Sequence, residues 1–337
     1  MRLTRSAVCV MLLAGSALGA CSANEQPEAP PLPRLAAAAD QLSTSGVSAG
    51  GYMAGQLLVA HSKRFVGAGI LAAGPYDCAR GSLKRALGPC VSGAELDLEA
   101  LRDATRTAAT DEKIDPLENL TKARLWLFHG AADDKVGTPV VTAARDFYAT
   151  WIPAESITLV QNIPAAHGLP TIDQGAPCNQ FVAPYLNACD FDAAGKILSQ
   201  MYGALRPAAE STAAPLTFAQ GPFGGGLHDT GYVYIPTSCR KRAGCRIHVV
   251  LHGCQQSAEK IGAQFVAGAG YNRWAETNDI IVLYPQARSS TAPLNPLGCW
   301  DWWGYSGSDY ANRESVQMQA ILRMVDTLAR PPQGKRS

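Results

Sequence analysis

The chain of 337 residues lacks an excess of charge of either sign. Lysine and arginine together number 29, and aspartate and glutamate number 28, so the formal net charge is +1. No basic field favours binding to nucleic acid, and no acidic field favours binding to cations. A long apolar run is also absent near the N-terminus, because Ala7 to Ala14 is too short for a permanent membrane span, which needs roughly 20 residues. We therefore expect partners to be bound in a pocket.

The N-terminus has the pattern of an export signal. Arg2 and Arg5 precede the apolar run and small residues follow it, which predicts a signal peptide at 1–20. The tetrapeptide that ends at Cys21 resembles a bacterial lipobox, whose cysteine is lipidated, and plain secretion is the alternative. Residues 21–40 are rich in proline and alanine without periodicity, which predicts a tether. We expect an exported protein, either secreted or held as a cell-envelope lipoprotein of a bacterium.

Eight cysteines remain beyond the signal peptide and the predicted lipidation site. An even set of cysteines in an exported chain predicts a disulfide framework. Zinc is the rival interpretation, but no C-x-x-C pair occurs and spacings of 12, 11 and 6 residues fit local loops better. No metal and no organic cofactor are expected. The eight are Cys78, Cys90, Cys178, Cys189, Cys239, Cys245, Cys254 and Cys299.

One short motif carries a specific chemistry. Gly46-Val47-Ser48-Ala49-Gly50 matches G-x-S-x-G, the nucleophile elbow, in which small residues flank a serine at a sharp strand-to-helix turn. Met53, Leu57 and Ala60 then recur at the spacing of an amphipathic helix. Ser48 is therefore expected to lie exposed at a helix N-terminus. Taken alone, the motif is equally compatible with a glycine and serine turn that has no chemistry.

Two later loops could supply partners for this serine. A predicted buried strand leads into a loop with Asp133, where an acid can orient a histidine. Asp134 is the close alternative. The next predicted strand is followed by His167 in a loop of small residues, so Ser48, Asp133 and His167 occur in the chain order of an α/β-hydrolase triad.

Apolar periodicity predicts strands at 66–74, 124–128, 157–160, 232–236, 246–251 and 280–285, and helices at 193–205, 271–277 and 314–328.

The order of the predicted elements is unusual for that fold. Only the tether precedes Ser48, which leaves no room for the strands that normally come before the nucleophile. A strand followed by His252-Gly253-Cys254 occurs near the C-terminus instead, and a backbone N–H of such a loop completes an oxyanion hole. We predict a circularly permuted α/β hydrolase, with a mostly parallel sheet flanked by helices and with disulfide-stapled loops, as one domain at 41–330. Two unrelated small domains are the alternative, and His129-Gly130 is a rival oxyanion loop.

Four motifs occur in one order: Gly-Val-Ser-Ala-Gly-Gly-Tyr-Met-Ala at 46–54, Gly-Pro-Tyr-Asp-Cys-Ala-Arg at 74–80, Leu-His-Gly-Cys at 251–254 and Gly-Cys-Trp-Asp-Trp at 298–302. Together they resemble the extracellular poly(3-hydroxybutyrate) depolymerases of the single-domain, circularly permuted type, over about residues 41–329. The resemblance implies a serine esterase that cuts short-chain polyhydroxyalkanoate. By the same resemblance Ser48 is the nucleophile, His167 the general base and Asp133 its orienting acid, and the backbone N–H groups of Ala49 and Cys254 bind the oxyanion.

The resemblance also implies how the cysteines pair: Cys78 with Cys90, Cys178 with Cys189, Cys239 with Cys245, and Cys254 with Cys299. The last pair would fasten the oxyanion loop to a tryptophan-rich segment. Aromatic rings there could clamp the apolar carbons of a polyester. We expect Trp302 to contact the substrate, with Trp300, Trp303 and Tyr52 as further candidates and at least one ring used to cap the core.

The sequence thus predicts a monomeric esterase that hydrolyses poly(3-hydroxybutyrate) to oligomers and hydroxy acid, with no nucleic-acid partner. An esterase for soluble hydroxyalkanoate oligomers, or for feruloyl or acetyl esters of polysaccharide, is the main alternative. From another class, the chain could be a surface lipoprotein that binds a polyester or a partner without catalysis.

Overall fold

The computed structural model describes residues 29–211 and 213–332. The predicted signal peptide at 1–20 and the predicted lipidation site at Cys21 lie outside the described residues. None of the helices in the two described ranges combines the length and the apolar composition that crossing a membrane requires.

Strands and helices alternate along much of the described chain. The strands are β1 (Ala38–Val47), β2 (Phe65–Leu71), β3 (Arg124–Phe128), β4 (Ile157–Val160), β5 (Leu169–Thr171), β6 (Ala176–Pro177), β7 (Leu186–Ala188), β8 (Leu216–Ala219), β9 (Thr230–Tyr234), β10 (Arg246–Leu251) and β11 (Ile280–Tyr284). The helices are α1 (Ala49–Ala60), α2 (Leu83–Leu87), α3 (Pro89–Ser92), α4 (Leu98–Thr110), α5 (Thr138–Tyr148), α6 (Ala193–Tyr202), α7 (Ala258–Ile261), α8 (Gln264–Gly268), α9 (Tyr271–Asn278) and α10 (Val316–Ala329).

Eight strands form one sheet in the order β4-β3-β2-β1-β10-β11-β9-β8. The neighbouring pairs from β4 to β11 are parallel, and β9 is antiparallel to both of its neighbours. The first strand of the chain therefore lies in the middle of the sheet, with β2 on one side and the late strand β10 on the other. The strands after residue 215 complete the half of the sheet that normally precedes the nucleophile, which confirms the predicted circular permutation.

The N-terminal segment pairs with the C-terminal helix. The N–H groups of Leu35 and Ala37 both donate to the carbonyl of Leu328, at 3.0 and 3.1 Å. Pro30 accepts a hydrogen bond from Ala219 N–H at 2.8 Å, and β1 already begins at Ala38. The boundary at residue 40 predicted for the tether is therefore too late, because backbone pairing includes residues 29–40 in the fold.

Helices cover both faces of the sheet, as the alternation of side chains along each strand requires. Ile281 and Leu283 of β11 pack in the core that includes residues of α1, α5 and α10. Ile280, Val282 and Tyr284 face the other core, which includes residues of α6 and α9. Each face of the sheet is thus buried by its own helical layer.

Helix α1 differs from the sequence expectation. An amphipathic helix was expected, but all twelve residues of α1 are buried. The sheet covers one side, and the segment around 301–310 covers another, where Gln56 Nε2 donates to the carbonyls of Asp301 and Tyr310 at 3.0 and 3.1 Å. The helix that follows Ser48 is therefore fixed on all sides.

Four disulfides staple the loops. The bonded pairs are Cys78–Cys90, Cys178–Cys189, Cys239–Cys245 and Cys254–Cys299, which are the pairs that the resemblance implies. Three of them close short loops, with sequence separations of 12, 11 and 6 residues, whereas Cys254–Cys299 spans 45 residues. The long-range bridge joins the loop after β10 to the tryptophan-rich segment.

Candidate active site

Ser48 occupies a sharp turn between β1 and α1. Its backbone has φ 57° and ψ −123°, a conformation that a residue with a side chain adopts only when the surroundings enforce it. Its N–H donates to the carbonyl of Leu71 at 2.9 Å, which anchors the turn to the neighbouring strand. The residue is half-buried, rather than fully exposed as the sequence predicts. This geometry is that of a nucleophile elbow.

The glycines around Ser48 are needed because the backbone is crowded. A Cβ atom at Gly46 would lie 2.2 Å from the carbonyl oxygen of Gly50, and one at Gly50 would lie 2.3 Å from that of Leu251. Leu251 is the last residue of β10, so the elbow packs directly against the start of the His252-Gly253-Cys254 loop. The motif therefore allows close approach of two loops as well as a tight turn.

Asp133 and His167 form a hydrogen-bonded pair. The Nδ1 atom of His167 lies 2.8 Å from Oδ2 of Asp133, whose side chain is only 1% exposed. The second carboxylate oxygen accepts the N–H groups of Lys135 and Val136, at 2.9 and 3.0 Å. An ionised carboxylate can only accept, so Nδ1 carries the hydrogen and Nε2 is left to take a proton.

The environment of Asp133 favours its ionised form. Burial on its own would raise the pKa of this carboxyl, but the hydrogen bond and the charge of His167, together with the N–H groups of Val136 and Lys135, lower the pKa below its ordinary value. Asp134, the alternative acid, has a side chain that is 71% exposed and pairs with Lys135 Nζ at 3.2 Å. The geometry thus assigns Asp133 as the partner of the histidine.

The loops that carry the acid and the histidine are bonded to each other. The N–H of Ala131 donates to the carbonyl of Ile163 at 2.7 Å, and that of Ala132 donates to Ala165 at 3.1 Å. Both loops follow the carboxyl ends of adjacent parallel strands, β3 and β4, at the sheet edge where the elbow follows β1. The serine, the acid and the histidine therefore share one edge of the sheet.

Two backbone N–H groups are placed as candidate oxyanion donors. Ala49 is the first residue of α1, and the first N–H groups of a helix have no intrahelical acceptor. Cys254 follows Gly253, at which a Cβ atom would lie 3.5 Å from the Cβ of Ser48. The rival candidate, the loop at His129-Gly130, belongs to the acid loop, since His129 Nε2 lies 2.9 Å from the carbonyl of Val136 there. The loop after β10 is therefore the better candidate.

His252 holds the backbone of this loop. Its Nε2 accepts the N–H of Ala287 at 3.1 Å, so the hydrogen of the neutral ring is on Nδ1, which donates to the carbonyl of Gly253 at 2.7 Å. Burial lowers the pKa of His252 to about 4, so the ring is neutral at pH 7. Its role in this geometry is to orient the loop.

The aromatic residues expected to contact substrate are mostly used for packing. Trp300 is fully buried and packs against His252, with ring centroids 5.4 Å apart. Tyr52 and Trp302 are 4% and 7% exposed and stack on each other, so their faces are already covered. Trp303 is half-buried and is the most accessible of the four. Burial leaves little of Trp300 and Tyr52 open to a substrate, and contact with substrate stays a prediction for all four residues.

A residue that sequence reasoning missed lies beside the histidine. The ring of Phe181 packs edge-on against His167 with centroids 5.7 Å apart, and Phe181 is 36% exposed. Val182 next to it is 48% exposed. The only sequence signal is that both lie in the loop closed by Cys178 and Cys189. This loop places an apolar surface next to His167.

A second apolar surface lies beside the oxyanion loop. Leu294 and Leu297 are 63% and 44% exposed, and the carbonyl of Leu297 accepts the N–H of Gln255 at 2.7 Å.

Across residues 29–211 and 213–332, no group of three or more histidine, cysteine, aspartate or glutamate side chains is arranged to hold a metal ion.

The chain is similar in sequence to one protein-family model and to two depolymerases. The model of the Prolyl oligopeptidase family matches residues 34–147. The poly(3-hydroxybutyrate) depolymerase of Delftia acidovorans is 40% identical over 325 residues, which cover 94% of this chain and 65% of that protein. The polyhydroxybutyrate depolymerase of Talaromyces funiculosus is 36% identical over 336 residues, which cover 94% of this chain and 97% of that protein.

Two solved structures are similar over most of the fold. One is a PHB depolymerase from Penicillium funiculosum, and the other is a serine-to-alanine variant of a PHB depolymerase complexed with an R3HB trimer. Each has a TM-score of 0.83 and 34% sequence identity, and covers 89% of this chain and 98% of that chain. With its permuted sheet, its elbow serine and this similarity over nearly the full length of the fungal relative, the chain belongs to the polyhydroxybutyrate depolymerase family.

Proposed function

We propose that this protein is a serine esterase that hydrolyses poly(3-hydroxybutyrate) to oligomers and hydroxy acid. The 2.8 Å hydrogen bond between His167 and Asp133, at the sheet edge that also carries Ser48, is the observation on which the proposal rests. A serine needs such an oriented base to become a nucleophile. Similarity to two depolymerases supports a polyester as the substrate.

The proposed reaction begins with attack of Ser48 Oγ on an ester carbonyl carbon, while His167 Nε2 takes the hydroxyl proton. Asp133 stabilises the resulting imidazolium, and the N–H groups of Ala49 and Cys254 donate to the carbonyl oxygen as it becomes negative. His167 gives the proton to the leaving alkoxide, which departs as a hydroxyl end of the polymer. Water then attacks the ester on Ser48 with the same base, which releases a carboxylic acid and restores the serine.

Exposed apolar side chains flank the proposed site on two sides. Phe181 packs against His167 and precedes the exposed Val182, and Leu297, whose carbonyl accepts the N–H of Gln255, follows the exposed Leu294 by three residues. Apolar surface that remains exposed in a folded protein commonly marks a binding site. We propose that these side chains adsorb the enzyme to an insoluble, uncharged polyester, and that Trp303 contributes from the tryptophan-rich segment.

The protein is further proposed to act outside the cytoplasm as a monomer. Four disulfides fit an oxidising compartment. The lipobox-like sequence before Cys21 supports a lipid anchor that would hold the catalytic domain at a membrane. Palmitate labelling of the full chain in a bacterial host tests this, since Cys21→Ser would remove the label if Cys21 is the site.

The test of function is the clearing of a turbid poly(3-hydroxybutyrate) suspension by the purified mature chain, beside Ser48→Ala. Clearing by the parent alone supports both the substrate and the nucleophile. Hydrolysis of a soluble hydroxybutyrate trimer without clearing would keep the proposed triad and move the substrate to oligomers or other esters. No hydrolysis of polymer, trimer or a p-nitrophenyl ester would overturn the proposal and favour a binding protein.

A further inference from the structure

The side chain of Gln256 connects two loops of the proposed site. It is 2% exposed, and its Oε1 accepts the N–H of Gly253 at 2.7 Å. Its Nε2 donates to the carbonyls of Pro184 and Tyr185, at 3.0 and 2.9 Å. A buried amide needs partners at both ends, and here the two ends bond to different loops. One end holds the oxyanion loop, and the other holds the loop closed by Cys178 and Cys189.

The carbonyl of Tyr185 is shared with the segment that carries the base. It also accepts the N–H of Leu169 at 3.1 Å, two residues after His167. A Cβ atom at Gly168 would lie 2.6 Å from this same oxygen, so the backbone after the histidine packs directly on it. The connection from Gly253 to the histidine segment thus consists of one side chain and one carbonyl group.

The other polar group of Gly253 is held as well. Its carbonyl accepts Nδ1–H of His252 at 2.7 Å, while its N–H is bound by Gln256. The C=O of Gly253 and the N–H of Cys254 belong to one planar trans peptide and point in opposite directions. Fixing Gly253 from both sides therefore fixes the direction of the candidate oxyanion donor at Cys254.

We propose that Gln256 is a positioning residue that sets the placement of the Cys254 N–H relative to His167. The inference rests on the proposed function, because it requires both groups to act in ester hydrolysis. An oxyanion donor must be held within about 0.5 Å of its productive position, and a misplacement of about 1 Å can lower a rate by about 100-fold. Gln256 touches no reacting atom in this arrangement, so it affects turnover and leaves ground-state binding of the ester unchanged.

The test compares Gln256→Met with Gln220→Met. Gln220 is fully buried and has the same pattern of bonds, since its Oε1 accepts the N–H of Gln286 and its Nε2 donates to the carbonyls of His228 and Gln286. It lies after the edge strand β8, so it controls for the loss of three buried hydrogen bonds. Both variants are assayed for kcat and KM on a soluble p-nitrophenyl ester and for inhibition by an alkylboronic acid, which mimics the tetrahedral state.

We expect Gln256→Met to lower kcat by about 10- to 100-fold with KM little changed, and to weaken boronic acid inhibition by a similar factor. Gln220→Met should lower the thermal stability by about as much as Gln256→Met does, and its kcat should equal that of the parent. Equal kcat values in the two folded variants would overturn the inference.

A second variant covers the case in which Gln256→Met does not fold. Gln256→Glu keeps the acceptor for Gly253 N–H but has at most one O–H donor, and none when ionised, for the carbonyls of Pro184 and Tyr185, so kcat should still fall. An unchanged kcat in this variant would overturn the coupling to the histidine segment. If the parent chain itself hydrolyses no ester, the proposed function fails, which is distinct from an active parent whose Gln256 variants match the Gln220 control.

Discussion

Tyr52 lies flat on Trp302, with ring centroids 4.3 Å apart and ring planes inclined by 10°. Tyr52 belongs to the first turn of the helix that follows Ser48, and Trp302 follows the bridge that ends at Cys299. The hydroxyl of Tyr52 donates to the carbonyl of Cys90. This stack therefore joins the elbow helix to the tryptophan-rich segment and to a disulfide-closed loop.

Trp302→Ala is expected to act mainly on stability. The indole is 7% exposed, so its removal opens a cavity beside Tyr52 and should lower the free energy of unfolding by about 3–5 kcal/mol. Urea unfolding of the parent and the variant measures this, with Trp303→Ala at the half-buried neighbour as the control with the smaller loss. Parent-like stability with a raised KM would instead show that Trp302 is chiefly a substrate contact.

Asp133→Asn is expected to lower kcat on a soluble ester by about 10³- to 10⁴-fold. An asparagine no longer provides the carboxylate that holds Nδ1–H of His167 and stabilises the imidazolium. Asp134→Asn is the matched control, since this neighbouring carboxylate is 71% exposed and pairs with Lys135. Steady-state kinetics at pH 7.5 decides the matter, and comparable losses in the two variants would contradict the assignment of Asp133.

Buried histidines should make the fold sensitive to acid. His248 is fully buried between Ser43 and Ser45, with its ring nitrogens 2.6 and 2.8 Å from their hydroxyls. Burial lowers the pKa of His248 to about 3, whereas the unfolded residue takes up a proton below about pH 6.5. The unfolded state thus binds more protons between these values, and stability falls as the pH falls through this window, by about 1.4 kcal/mol per pH unit for this residue.

Urea unfolding at pH 7, 6 and 5 measures this decline. His248→Asn removes one titrating group, so its free energy of unfolding should fall less steeply with decreasing pH than that of the parent. Part of the decline should remain, since burial also lowers the pKa of His252 and of His61, each to about 4. Identical slopes for parent and variant would show that His248 does not contribute.

Removal of the bridge between Cys254 and Cys299 is expected to affect both stability and activity. This bridge spans 45 residues. The chain-entropy model predicts that changing both cysteines to alanine lowers the free energy of unfolding by about 4 kcal/mol. The bridge between Cys239 and Cys245 spans 6 residues, and its removal should lower the free energy of unfolding by about 2 kcal/mol. Thermal unfolding and ester hydrolysis of the two double variants separate these effects, and only the first should lower kcat. Equal kcat values would mean that the bridge does not position the oxyanion loop.

Local patterns in the sequence were enough to predict most of the elements of the main sheet. The strands at 124–128, 157–160 and 246–251 are found with the predicted bounds, because strands of a parallel sheet are short apolar runs. Other ends differ by a few residues. The helix predicted to continue to 205 ends at Tyr202, where Gly203 has a positive φ of 80°.

The sequence by itself indicated the order of the elements, and hence the permutation, because the strand that leads into His252-Gly253-Cys254 comes after the elbow in the chain. It also placed Ser48, Asp133 and His167 after strands, which predicts a shared sheet edge. Which side chains touch was decided only by the tertiary structure. The choice of Asp133 over Asp134 depends on which of two adjacent carboxylates points inward.

Only the tertiary structure decided the use of the aromatic rings and of Gln256. A tryptophan in a loop rich in glycine and aspartate has no periodic pattern that separates a buried ring from an exposed one, and packing against α1 buries Trp302. The bonds of Gln256 join residues about 70 positions apart in the chain, and no local pattern encodes such distant hydrogen bonds. Elements arise from short-range periodicity, whereas the details of the proposed site arise from contacts between loops that only folding brings together.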